Sequence, residues 1–128
     1  TAMDLGANVT LTGGVALQTQ ESWCEFISKD LQSISFGGNA AELYFEEDKF
    51  DDFLKKLAAI KGIFYVHPVQ QYSWGQRVIR FYDPDFHILE VGENIKSVCR
   101  RFLDSGMTIE AAAVRMNVPE KFVRACVR

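Results

Sequence analysis

Among the polar side chains, two carboxylates and one amide stand out, because the residues around them dictate which way they face. In residues 15–20, Val15, Leu17 and Thr19 share one side of an extended segment, and Ala16, Gln18 and Gln20 share the other. In AELYFEE, residues 41–47, Leu43 and Phe45 alternate with Glu42, Tyr44 and Glu46. In HILEVGE, residues 87–93, Ile88 and Glu90 lie opposite His87, Leu89 and Val91. Gln18, Glu42 and Glu90 are therefore each expected to point away from an apolar face. Without a metal between them, two facing carboxylates repel, and at least one tends to stay protonated. Arg80 offers an anchor for a carboxylate or phosphate, because a guanidinium donates paired hydrogen bonds. Tyr44, Trp74 and Tyr82 complete a candidate substrate-binding set, although aromatic and arginine residues in strands also serve as core and solvated positions.

Other chemistries find no support in the residue pattern. His67 precedes Pro68 in an expected edge strand and His87 faces away from Glu90, so neither is assigned a catalytic role. There is no Ser/His/Asp arrangement, phosphate loop or nucleotide fingerprint. Cys24, Cys99 and Cys126 form no CxxC pair, which reads as reduced thiols in a cytoplasmic protein. With 48% hydrophobic and 24% charged residues in 128, the chain has the burial capacity of one folded domain and is too apolar for intrinsic disorder. No apolar run approaches the roughly 20 residues of a membrane span, and no signal peptide is apparent. The absence of an initiating Met suggests a processed, tagged or truncated start.

The elements that must position these residues can be read in order. Gly13-Gly14 marks a hairpin turn between two short strands. A polar stretch containing Trp23, Cys24, Phe26 and Ile27 follows, then a linker or turn around Gly37-Gly38-Asn39. After the strand 41–47, Asp48 is a suitable N-cap for a helix carrying Phe50, Phe53, Leu54, Leu57 and Ile60, with Gly62 as its stop. Leu43 and Phe45 are expected to pack beneath that helix. Pro68 makes residues 63–72 an edge strand or a bulge. GQRVIRFY and HILEVGE are strands joined by a DPDF turn, with Pro84 at its second position. Residues 96–128 read as three short helices, with Thr108 as an N-cap and Pro119 as a first helical residue.

The segment WGQRVIRFYDPDFHILEVGE, residues 74–93, together with AELYFEE and its helix, resembles the glyoxalase, bleomycin-resistance and extradiol-dioxygenase superfamily, also called vicinal oxygen chelate proteins. The resemblance covers residues 1–95 and implies an α+β fold of paired βαβββ modules curled into a cupped mixed sheet. Residues 41–93 look like a complete second module and residues 1–20 like the end of a truncated first one. The helical tail of residues 96–128 lies outside the resemblance. By position, Gln18, Glu42 and Glu90 correspond to three of the family's metal ligands, with Glu90 also the catalytic candidate; the first-strand ligand has no counterpart. Glu42 stands where the metal enzymes more often have His, and an all-oxygen set suits hard ions such as Mg²⁺ or Mn²⁺, with Ni²⁺ or Zn²⁺ as further candidates. Phe86 replaces the usual Gly of the turn, which implies a repacked turn.

The first functional reading is a metal-dependent enzyme of the lactoylglutathione lyase or dioxygenase type. It would act on a small oxygen-rich substrate by stabilising an enediolate. The alternative is a metal-free binding or drug-resistance protein holding an aromatic or cationic compound. DNA binding through Lys121, Arg124 and Arg128 of the last helix is third. Net charge is −3, but residues 1–95 carry 7 Lys/Arg against 14 Asp/Glu and residues 96–128 carry 7 against 3. A basic, periodically apolar tail on an acidic body is expected to dock on its own chain or a partner's, and a homodimer is expected.

Overall fold

Both glycines of the first turn adopt the positive φ that a tight hairpin demands, 95° at Gly13 and 86° at Gly14. They join β2 (Asn8–Thr10) to β3 (Ala16–Gln18) with Val9 opposite Leu17, and a short β1 (Met3–Asp4) pairs on the far side of β2. The computed structural model describes residues 3–127; the ends of the chain, including Arg128 of the basic set, lie outside the described residues. The chain divides into two compact units, Thr1–Phe36 and Gly37–Arg128. The polar stretch after β3 is an α-helix, α1 (Gln20–Ile27). Thr19 caps it by accepting from the Ser22 N–H, and Glu21 sits favourably in its first turn. Trp23, Phe26 and Ile27 do recur at helical spacing, but about two turns are too short for that period to stand out.

The second unit is built on a four-stranded mixed sheet in the order β4-β7-β6-β5. Its strands are β4 (Glu42–Glu47), β5 (Tyr65–Gln71), β6 (Arg77–Tyr82) and β7 (Ile88–Glu93). β4 runs parallel to β7, and the remaining pairs are antiparallel. Since β4 must return parallel to its neighbour, a helix crossover is required, and α2 (Phe50–Ala58) supplies it. α2 buries Phe50 and Leu57 against Ile79 and Val91, with Phe53, Leu54, Ile63 and Phe81 around them. The N-cap of α2 is Lys49, not Asp48, and its N–H is taken by the Glu47 carboxylate at 2.8 Å. The helix ends at Ala58, ahead of Gly62.

Leu43 and Phe45 are not sealed beneath α2, being 42% and 44% exposed. Alternation set their face correctly, but β4 is an edge strand, and the helix lies over the central strands β6 and β7. β5 is the other edge, with irregular register around Pro68, where the missing N–H interrupts the ladder.

The tail folds as α3 (Ile95–Asp104), α4 (Ile109–Met116) and α5 (Glu120–Cys126). Val98, Cys99 and Phe102 of α3 pack with Ala112, Ala113, Met116, Val123 and Cys126. Thr108 caps α4 by accepting from the Ala111 N–H, and Pro119 occupies the N-cap of α5, one position before its first helical residue. All three cysteines are free and buried. Burial, and then a hydrogen bond with Cys126, push the Cys99 thiol up to about 12. No helix among the described residues is long and apolar enough to cross a membrane.

Candidate functional site

Strand register assembles the site on the sheet face opposite α2. Glu90 of β7 is flanked by Tyr44 of β4 and by Arg80 of β6, and Arg80 is flanked by His67 of β5. Each of these positions shares a face with its neighbour because cross-strand partners point the same way. Arg80 forms the centre. Its Nε donates to Glu42 at 2.8 Å, one terminal nitrogen donates to Glu90, and the other contacts Tyr72 Oη at 2.8 Å and His67 Nε2 at 3.2 Å. His67 Nδ1 lies 2.7 Å from the Pro68 carbonyl, which can only accept, so Nδ1 carries the proton and Nε2 receives from Arg80.

The two carboxylates are unlike. Glu90 is buried and Glu42 exposed. Burial pushes the Glu90 carboxyl above its usual range, and a hydrogen bond to Glu42 adds to the rise. The Arg80 hydrogen bond holds Glu42 below its usual range. Arg80 itself is held more firmly protonated by Glu42.

These opposite directions give a testable pH signature. A carboxyl raised on folding favours the folded state below its unfolded pKa and loses that contribution as pH rises through the folded value. Glu90→Gln mimics the protonated form and should become progressively more stable relative to the wild type between about pH 4 and pH 7, starting from the ordinary carboxyl value. Glu42→Gln should behave oppositely and at lower pH, its deficit against the wild type growing as pH rises from the lowered folded value towards the unfolded value of about 4.3 and holding constant above it. Melting curves from about pH 3 to pH 7 measure both trends, and parallel curves for Glu90→Gln would remove the case for an elevated Glu90.

The other aromatic candidates sit around this centre. Tyr72 and Trp74 stack with centroids 4.5 Å apart, Trp74 donates to Gln76, and Gln76 donates to Tyr44 Oη at 3.0 Å. Burial raises the Tyr44 phenol above its usual range. Tyr82 donates to Asn39 and touches Phe86, which holds a φ of 64°, a conformation that Gly adopts more easily. Gln18 lies half-buried at the end of β3, in the other compact unit.

Sequence reasoning missed His67 and Tyr72. Pro68 breaks the alternation that would have placed His67, and Tyr72 lies just past β5, where strand periodicity carries no information. It also missed Glu93, a buried carboxylate that accepts from both Arg77 and Arg101. The signal for Glu93 was the alternation Val91, Glu93 on a mostly apolar face.

A second acidic group lies in the β6–β7 turn, where Asp83, Asp85 and His87 bring one ligand atom each within 4.8 Å of one another. Asp83 there accepts from the Asp85 and His87 backbone N–H groups and contacts His87 Nδ1 at 2.9 Å. Those bonds account for its place as a turn-forming residue.

The family profile described as a glyoxalase-like domain matches residues 1–96. Among solved structures, a protein of unknown function from Agrobacterium tumefaciens str. C58 is 35% identical, with 73% of this chain and 72% of that chain covered and a TM-score of 0.60. A glyoxalase-related enzyme from Fulvimarina pelagi shares 16% identity over 72% of this chain and 68% of that one, with a TM-score of 0.56. A glyoxalase/bleomycin resistance protein/dioxygenase from Nocardioides shares 20% identity over 73% and 66%, with a TM-score of 0.55. These two likenesses concern the fold. No curated protein matches. With three quarters of its length matched by the profile, and with the βαβββ order of β4, α2, β5, β6 and β7, the chain belongs to the glyoxalase-like domain family.

Proposed function

We propose that this chain is a small-molecule-binding member of its family whose polar site is organised by an arginine, and whose ligand is an aromatic or cationic compound. The observation that carries the reading is the Arg80 guanidinium between Glu42 and Glu90. The positive charge that two neighbouring carboxylates require is supplied by the protein itself. Bonds to Glu42, Glu90, His67 and Tyr72 occupy four of the five guanidinium N–H groups, so Arg80 orders the site more than it captures an anion. What remains open to a ligand is the exposed Glu42 carboxylate, Tyr44 and the Tyr72–Trp74 stack. A carboxylate beside aromatic faces suits a cation or an electron-poor ring.

A second reading is favoured by the convergence of Glu42 and Glu90 on one face: a divalent-ion enzyme of the lyase, isomerase or dioxygenase type. As arranged, the residues do not fit that ion, since Arg80 stands between the two carboxylates and occupies an oxygen of each. Glu42 and Glu90 would become ligands only after Arg80 withdrew. A homodimer in the cytoplasm belongs to the proposal as well. It is supported by the half-exposed Leu43 and Phe45 along an edge strand and by three thiols without a disulfide.

A variant with Trp23→Phe leaves Trp74 as the sole tryptophan. Titrating it with benzyltrimethylammonium is expected to quench Trp74 saturably, and Glu42→Gln should weaken that binding by about tenfold, the loss of roughly one cation contact. Stoichiometric Mn²⁺ binding by the wild type, seen by electron paramagnetic resonance and abolished in Glu90→Gln, would replace this proposal with the metal reading.

A further inference from the structure

The tail lies beyond the family-matched residues 1–96, yet it holds the one turn that carries Tyr72, Trp74 and Gln76. That turn, between β5 and β6, closes on itself through Tyr72 N–H to the Gln76 carbonyl and Gly75 N–H to the Tyr72 carbonyl, both at 2.9 Å. Its two outward carbonyls are taken by arginines of the tail. Arg115 Nε of α4 donates to the Ser73 carbonyl at 2.9 Å, and an Arg101 terminal nitrogen of α3 donates to the Gly75 carbonyl at 2.7 Å. Phe102 fills the space over Gly75, and the Arg101 and Arg115 guanidinium carbons stand 5.3 and 5.4 Å from its ring centroid. Arg101 is anchored in turn by Glu93, next to the backbone carbonyl that receives Gln76.

We infer that the C-terminal helices are a working part of the binding site, with Arg115 and Arg101 acting as positioning residues that set the Tyr72–Gln76 turn and, through the Tyr72 hydroxyl, the orientation of Arg80. The reach is short. From Arg115 the path runs through the Ser73 carbonyl to its neighbour Tyr72, and from Tyr72 Oη directly to Arg80. The same turn presents the Trp74 ring and, through Gln76, holds Tyr44. Arginine suits the task because its planar fork fixes direction as well as charge, and because its face packs on Phe102 while its edge donates. Two positively charged side chains of the tail are thereby committed to backbone carbonyls of the β5–β6 turn. This also explains why a basic tail belongs on this acidic body without requiring nucleic acid.

The inference rests on the proposed binding role of Arg80 only for its functional consequence; the mechanical coupling is tested independently. In the Trp23→Phe background, Arg115→Ala should lose protection of Trp74 from acrylamide quenching, Arg115→Lys should restore part of it, and Arg124→Ala, whose partner is Glu120, should leave it unchanged. Benzyltrimethylammonium affinity should fall roughly fivefold in Arg115→Ala, the fold-change of one net hydrogen bond. In a Tyr72→Phe background, the same substitution should add little, because both act on one path. If Trp74 quenching in folded Arg115→Ala matches that in the parent, the positioning role is wrong. If quenching changes but the probe binds neither protein, the coupling stands and the ligand class fails. Additive losses with Tyr72→Phe would show that Arg115 acts by another route.

Discussion

Replacing Gly75 with alanine is expected to lower the stability of the second unit by about 3 kcal/mol, combining the strain of positive φ with overpacking. Gly75 has φ +89°, and a Cβ built there would lie 2.1 Å from Phe102 Cζ and 2.7 Å from Cε2. Neither party can yield freely, because Phe102 is buried in the helical core of the tail. The substitution therefore sets the sheet against α3. For a unit of this size the melting temperature should drop by roughly 10–20 °C. Adding Phe102→Ala removes the obstruction but opens a cavity, so the double variant should be less destabilised than the sum of the two single changes. A melting point for Gly75→Ala within about 3 °C of the wild type would show that the tail can shift away at little cost.

Glu93→Ala should cost about 2–3 kcal/mol, at or below the low end for breaking a buried pair, because its two partners are partly solvated. Glu93 is 4% exposed and accepts four hydrogen bonds from Arg77 and Arg101. Burial alone would raise its carboxyl, but the Arg101 and Arg77 guanidinium groups outweigh that and hold it below the usual range. The sign follows: a lowered carboxyl adds stability above its unfolded pKa of about 4.3 and loses it as pH falls through the folded value. The gap between Glu93→Ala and wild type in chemical denaturation should thus be widest near neutrality and narrow on acidification. A gap that is constant from pH 7 to pH 3 would indicate lost packing and not lost charge pairing.

The alternation of AELYFEE and HILEVGE by itself determined that Glu42 and Glu90 turn away from the helix-covered face, since side chains in a strand can only alternate. The Gly13-Gly14 turn, α2 and the three tail helices were legible for the same reason, each carrying a local signal of glycine, cap or 3.6-residue spacing. α1 was not, because its Trp23, Phe26 and Ile27 spacing spans barely one turn of an eight-residue helix, too short a stretch to establish a period. Edge and centre were likewise undetermined by pattern: Leu43 and Val91 look equally apolar, but only strand order decides that α2 covers Val91 and leaves Leu43 half exposed. The convergence on Arg80 was a tertiary decision as well. His67, Tyr72, Glu42 and Glu90 come from different strands or their ends, and no spacing along one chain segment encodes which of them will meet the Arg80 guanidinium. The Arg101 and Arg115 contacts to the Tyr72–Gln76 turn depend on how the tail docks, a matter of buried shape and paired charge between segments distant in sequence, which local periodicity does not record.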